Sequence, residues 1–136
     1  IPTMDTKRYS FLLGALIKNR TPCIFIGDSG TGKTVTEQNY LRYLVTMDQK
    51  AYLILSLNFS SRTSSLDFQK NMEETDETRL IRTVGPPSGK QLIFFIDDVG
   101  MPKVDKYETQ QPVAFLKLLI EKRAYYTKDN KEQVKL

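Results

Sequence analysis

Short, continuous apolar runs punctuate this chain, and they predict its strands. The runs 23–26, 51–57 and 92–96 are dominated by Ile, Leu and Phe. Because they do not alternate with polar residues, they are typical of strands buried on both faces of a parallel sheet. Cys23 opens the first run and is expected to be a small core residue.

Between these runs, apolar residues recur at helical spacing. A first helix is predicted to end near Lys18, a second runs from Lys33 to about Met47, and a third begins at Pro112, which suits a first helical turn. Tyr125 and Tyr126 are expected to close the third helix. Strands alternating with helices predict an α/β sandwich on a parallel sheet, in which ligands bind at the carboxyl ends of the strands.

Composition narrows the possible chemistry. The 136 residues are 40% hydrophobic, which is enough for one compact domain. One cysteine and no histidine exclude a disulfide framework, a structural zinc site and a histidine-based triad. The net charge of +4 comes without an arginine-rich run, so we expect no direct nucleic-acid binding. No apolar run approaches the roughly 20 residues that cross a bilayer, so we expect no membrane contact.

One segment matches the phosphate-binding pattern G-x-x-x-x-G-K-[ST] in full. Glycines let its backbone N–H groups turn inward towards phosphate oxygens, and the next helix starts with its positive dipole end at the anion. Lys33 is placed to reach the β- and γ-phosphates, and the Thr34 hydroxyl to bind Mg²⁺. The predicted nucleotide-binding residues are Gly27, Asp28, Ser29, Gly30, Thr31, Gly32, Lys33 and Thr34.

A pair of acids ends the apolar run 92–96. In a phosphate-binding ATPase the first acid, Asp97, holds Mg²⁺, while the second, Asp98, orients or deprotonates the attacking water. Enzymes of this class usually carry Glu at the second position, and Asp is one methylene shorter. The alternative is that both acids merely cap a nearby helix or begin a turn.

These motifs and their surroundings resemble the third AAA+ module in the motor ring of a dynein heavy chain, most closely the axonemal type. The resemblance covers almost the whole chain. It rests on Ile1–Thr6, Arg8–Ser10, the Walker A loop 27–34, Asn58–Ser64, Gly85–Lys90, the Walker B stretch 92–98, Met101–Pro102, Lys106–Tyr107 and Gln110.

The resemblance implies a P-loop AAA+ three-layer sandwich with a mostly parallel sheet. Residues 1–136 would be a partial large subdomain, with a hairpin insertion within about 60–90. The backbone at Pro2 and Thr3 would lie against the adenine. Lys33 and Asp98 would be catalytic, and Thr34 and Asp97 would bind Mg²⁺.

The resemblance also implies a function. The module would bind ATP or ADP with Mg²⁺ and regulate a microtubule motor in the cytoplasm and cytoskeleton, including the axoneme of a cilium or flagellum. Its partners would be the other AAA+ modules of the heavy chain. Dynein intermediate and light chains and microtubules would be contacted through the full-length protein.

Several features depart from the family pattern. Gly100 stands where Asn is usual, and Glu108 where a small residue, often Gly, is common. We find no strand bearing a sensor Asn between the Walker A and Walker B strands, and no helical lid. We therefore expect a fragment of a longer polypeptide, an ATPase in that context, which by itself binds nucleotide but hydrolyses it very slowly or not at all.

Other functions remain open on the residues alone. One is a non-hydrolysing module in which ATP acts only as a conformational ligand. A second is a small P-loop kinase or GTPase, although no guanine-specific motif or arginine-rich lid is present. A third is a module that binds an acidic partner through its basic ends.

Overall fold

The computed structural model divides the chain into two units, residues 1–49 and 50–136, and each is described by itself. The structure describes residues 3–48, 51–75, 77–80, 83–86, 89–126 and 133–135. Within these ranges no helix is long and apolar enough to cross a membrane. The predicted α/β class is confirmed, with helices and a parallel strand pair.

Two helices make up the first unit. The first, α1, spans Met4–Lys18, and α2 spans Lys33–Met47. The α1 helix begins where the Thr3 hydroxyl accepts a hydrogen bond from the Thr6 N–H. Such a cap satisfies one of the backbone donors that a helix start leaves free. The buried side chains of these helices are Leu13, Ile17 and Leu41.

The strand predicted for 23–26 is wrong for this structure. The segment has no strand assignment, and Ile24 and Ile26 are 66% and 87% exposed. A strand needs a hydrogen-bonded neighbour, and the described part of the first unit contains no strand that could pair with this segment. Cys23 is likewise exposed rather than in a core.

A parallel strand pair organises the second unit. The first strand, β1, spans Tyr52–Asn58 and pairs with β4, Gln91–Asp97, in a register that places Asn58 opposite Asp97. The N–H of Phe59 also donates to the Asp97 carbonyl at 3.0 Å. The carboxyl ends of both strands therefore lie together at one edge, with Asp97 in that edge.

Two helices cover one face of this pair and form the core. The helices are α3, Ser65–Thr75, and α4, Gln111–Lys122. Phe68 lies at the centre, with edge-to-face ring contacts to Phe59, Phe94 and Phe115. Such contacts add to the burial of the rings. The buried members of this core are Phe59, Phe68, Met72, Leu119 and Tyr125.

A four-stranded sheet completes the second unit in the order β2-β3-β6-β5. These strands are β2 Glu77–Leu80, β3 Thr83–Gly85, β5 Ala124–Tyr126 and β6 Gln133–Lys135. The antiparallel β2–β3 pair falls in the region where the resemblance implies a hairpin. Tyr125 and Tyr126, predicted to close a helix, lie instead in β5, because α4 ends at a left-handed Arg123.

Candidate functional site

The loop 27–34 lies in the first unit and leads directly into α2. Gly30 and Gly32 have φ values of +79° and +78°. Side chains at these positions would strain the backbone, since the left-handed region costs an L-residue about 1–2 kcal/mol. Gly32 is the N-cap of α2 and supplies no side-chain cap, so a bound anion can take that role. The loop and the helix start are as predicted.

The ammonium group of Lys33 lies inside this loop. Its Nζ donates to the carbonyl oxygens of Gly27 and Asp28 at 2.7 and 2.6 Å, and to the Thr31 hydroxyl at 3.2 Å. The cation therefore sits among loop oxygens at the place where the motif binds phosphate.

Thr31 ties the two ends of this loop together. Its hydroxyl donates to the Asp28 carbonyl at 2.9 Å while it accepts from Lys33. These two hydrogen bonds hold the loop in its curled form.

A triphosphate fits this arrangement. The donors that would meet it are the Lys33 ammonium and the backbone at the start of α2, and the loop's glycines leave space, because a Cβ at Gly30 or Gly32 would meet nothing within 4 Å. Anionic phosphate oxygens attract an ammonium group more strongly than neutral carbonyl oxygens do.

Three further predicted residues belong to the first unit. Thr34 is the second residue of α2 and is half-buried. Thr3 is exposed, and its hydroxyl is occupied in capping α1, bonding to Thr6. Pro2 lies outside the described residues, so its predicted role at the adenine remains a prediction.

The acids Asp97 and Asp98 belong to the second unit. Asp97 is the last residue of β4 and is half-buried, whereas Asp98 is exposed. Asp98 has a left-handed φ of +53°, and its N–H donates to the Asp97 carboxylate at 3.1 Å. Strained backbone of this kind is held only where the surroundings over-determine it.

Among the described residues, no group of three or more His, Cys, Asp or Glu could hold a metal by itself. Proteins usually bind Mg²⁺ through one or two carboxylates together with water and substrate phosphates. Asp97 and the Thr34 hydroxyl offer oxygen ligands of the kind Mg²⁺ prefers.

Two side chains that the sequence analysis gave no role hold the loop after the acids. The Asp105 carboxylate accepts from the N–H groups of Tyr107 and Thr109 at 2.8 and 3.0 Å. These two backbone hydrogen bonds lower the pKa of Asp105 below its ordinary value, and the one from Thr109 has the larger effect.

The Gln110 amide donates to the carbonyl oxygens of Gly100 and Pro102 at 2.9 and 2.7 Å. The sequence could have indicated the role of Asp105, because its backbone donors lie only two and four residues further along the chain. No local signal of this kind exists for Gln110, whose acceptors lie 10 and 8 residues before it.

The two departures from the family pattern fall in this loop. Glu108 has a φ of +60°, the conformation in which glycine is unstrained, and this agrees with the small residue that the resemblance leads us to expect there. Gly100 has open space around it, since a Cβ would meet nothing within 4 Å. An Asn at position 100 is therefore sterically permitted.

Comparison with known proteins agrees with this geometry. The family described as P-loop containing dynein motor region matches residues 1–136. This chain is 50% identical, over 126 residues or 93% of its length, to Dynein-1-alpha heavy chain, flagellar inner arm I1 complex, of Chlamydomonas reinhardtii. Over the same length it is 48% identical to human Dynein axonemal heavy chain 10. The chain spans 3% of the length of each of these relatives. With a match along its whole length and a P-loop of the expected geometry, the chain belongs to the family of P-loop dynein motor regions.

Proposed function

We propose that the chain is the third AAA+ module of an axonemal dynein heavy chain, which binds Mg·ATP or Mg·ADP and regulates the motor through its nucleotide state. The observation that carries the proposal is the loop 27–34. It combines left-handed glycines, an inward Lys33 ammonium and an uncapped helix start.

In this proposal, the first unit supplies the phosphate contacts. Lys33 exchanges its carbonyl partners for β- and γ-phosphate oxygens, and the loop N–H groups bind the remaining oxygens. These fixed dipoles need no reorganisation when charge develops on the phosphates.

The second unit supplies the acids. Asp97 and, from the first unit, Thr34 would hold Mg²⁺, which supplies charge neutralisation at the phosphates when bound. Asp98 would hold or deprotonate the attacking water. Asp98 is exposed and has a left-handed backbone.

The proposed cellular setting follows the relatives, whose names place them in axonemes and flagellar arms. We propose the axoneme of a cilium or flagellum as the location. The proposed partners are the other AAA+ modules of the heavy chain and, through the full-length protein, intermediate chains, light chains and microtubules.

A second function has a specific observation in its favour. Asp98 is one methylene shorter than the usual Glu, which disfavours accurate placement of a water. The module would then bind ATP as a conformational ligand without cleaving it.

Single-turnover assays separate these two functions. Excess protein is mixed with trace Mg·ATP, and both bound nucleotide and released phosphate are followed, with Asp98→Asn as the matched variant. Binding with phosphate release that falls about tenfold or more in the variant supports the ATPase. Binding with equal, background release in both proteins supports the non-hydrolysing module. Absence of binding contradicts both.

A further inference from the structure

The loop between β4 and α4 ends on a side chain that reaches back to its beginning. Gln110 is the N-cap residue of α4, yet its side chain makes no cap hydrogen bond. Its amide nitrogen donates instead to the carbonyl oxygens of Gly100 and Pro102. An amide NH₂ has two hydrogens, so both are used.

These two carbonyls flank Met101, whose N–H closes the turn that Asp98 begins. Met101 donates to the Asp98 carbonyl at 2.9 Å. Gln110 therefore holds the Gly100–Met101 peptide group, which carries the Met101 N–H, and the Pro102–Lys103 peptide group. The turn hydrogen bond depends on where the first of these two groups lies.

Asp98 is the residue that needs such support. Its left-handed backbone is unfavourable for an L-residue, although Asp tolerates it better than most. In this conformation its N–H reaches the Asp97 carboxylate. Relaxation of Asp98 would remove that donor and change the direction of both acids.

We infer that Gln110 is a positioning residue for the acid pair: its two hydrogen bonds hold Asp98 left-handed and the Asp97 carboxylate aligned. The inference deepens the proposed function and rests on it for the role of the acids.

Amide hydrogen exchange of the full chain tests this directly. In Gln110→Ala, the protection factors of the Asp98 and Met101 amides are expected to fall about tenfold or more, while those of the β4 core change little. Lys103→Ala, an exposed change in the same loop, should leave them all unaltered. Unchanged protection at Asp98 and Met101 would overturn the inference. Equal loss throughout β4 would also overturn it, because Gln110 would then support the whole unit.

The variant Gln110→Glu provides a second test, in which a change of pH alone alters the hydrogen bonds of one protein. A carboxylate cannot donate to the two carbonyls, but a protonated carboxyl donates one hydrogen bond. Protection of Met101 should therefore be low at pH 7.5 and rise as the new carboxyl protonates below about pH 5. A protection factor independent of pH in this range would contradict the inference.

A separate measurement tests whether Gln110 affects the proposed Mg²⁺-dependent binding of ATP. The affinity for ATP is compared with Mg²⁺ and with EDTA, and the Mg²⁺-dependent gain should fall about threefold or more in Gln110→Ala. An undiminished gain alongside lost protection would confine Gln110 to the loop and overturn its positioning role. If the unaltered chain binds no Mg·ATP, the proposed function fails, and the exchange data still decide whether Gln110 holds Asp98.

Discussion

The ammonium nitrogen of Lys33 lies 2.6 Å from the carbonyl oxygen of Asp28, inside the loop that precedes its own helix. The lysine that should meet phosphates is thus already directed into the loop by neutral oxygens. A bound anion would replace these partners without a large movement of the side chain. This relationship places the Lys33 cation within the loop that we propose binds the phosphates.

Replacement of Glu108 by Gly is expected to stabilise the second unit by about 1 kcal/mol, because Glu108 has a φ of +60° that glycine adopts without strain. Urea unfolding measures the gain. The control is Glu108→Ala, which removes the charge but keeps a Cβ and should give little or no gain. Equal stabilisation by Ala and Gly would show that charge, not backbone strain, is responsible.

The stability that Asp105 contributes should depend on pH. The folded pKa lies below the ordinary value of 3.8, because backbone N–H groups of Thr109 and Tyr107 favour the carboxylate. The contribution is therefore fully present above the unfolded pKa and is lost as pH falls through the folded one.

Asp105→Asn isolates this effect. The difference in unfolding free energy between the unaltered chain and the variant should shrink as the pH is lowered below about 4. Urea unfolding at pH 6, 4 and 3 measures it. Curves that remain parallel down to pH 3 would contradict the assignment.

Gly14 leaves room for Tyr40 between the two helices of the first unit. A Cβ at position 14 would collide with the Tyr40 hydroxyl, so Gly14→Ala should destabilise the chain by about 1 kcal/mol despite alanine's better helix propensity. In a Tyr40→Leu background the same change should instead stabilise by about 1 kcal/mol. Thermal unfolding of the four proteins gives the result, and the same sign in both backgrounds would show that Tyr40 is not the obstacle.

Local features of this fold could be predicted from the sequence. The loop 27–34 follows from glycine spacing and a helix start, both of which depend on neighbouring residues. The strands β1 and β4 and the start of α4 follow from apolar runs and from Pro112. Each of these was predicted to within a few residues.

Features that depend on distant partners could not be predicted. The run 23–26 has strand composition, but a strand exists only beside another strand, and the described part of its own unit contains none. Tyr125 and Tyr126 continue a helical pattern, yet pairing with β6 places them in a sheet. The hydrogen bonds of the Gln110 side chain span 8 and 10 residues, and no periodic pattern in the sequence indicates them.

The central claim is that the loop 27–34 binds the phosphates of Mg·ATP through Lys33. Isothermal titration calorimetry of the full chain with Mg·ATP tests it, with Lys33→Ala beside Lys7→Ala, an exposed lysine of α1. We expect saturable binding that Lys7→Ala leaves unchanged and Lys33→Ala weakens by about 2 kcal/mol, or roughly thirtyfold in Kd. No saturable heat from the folded chain, or equal affinity in the two variants, would contradict the account.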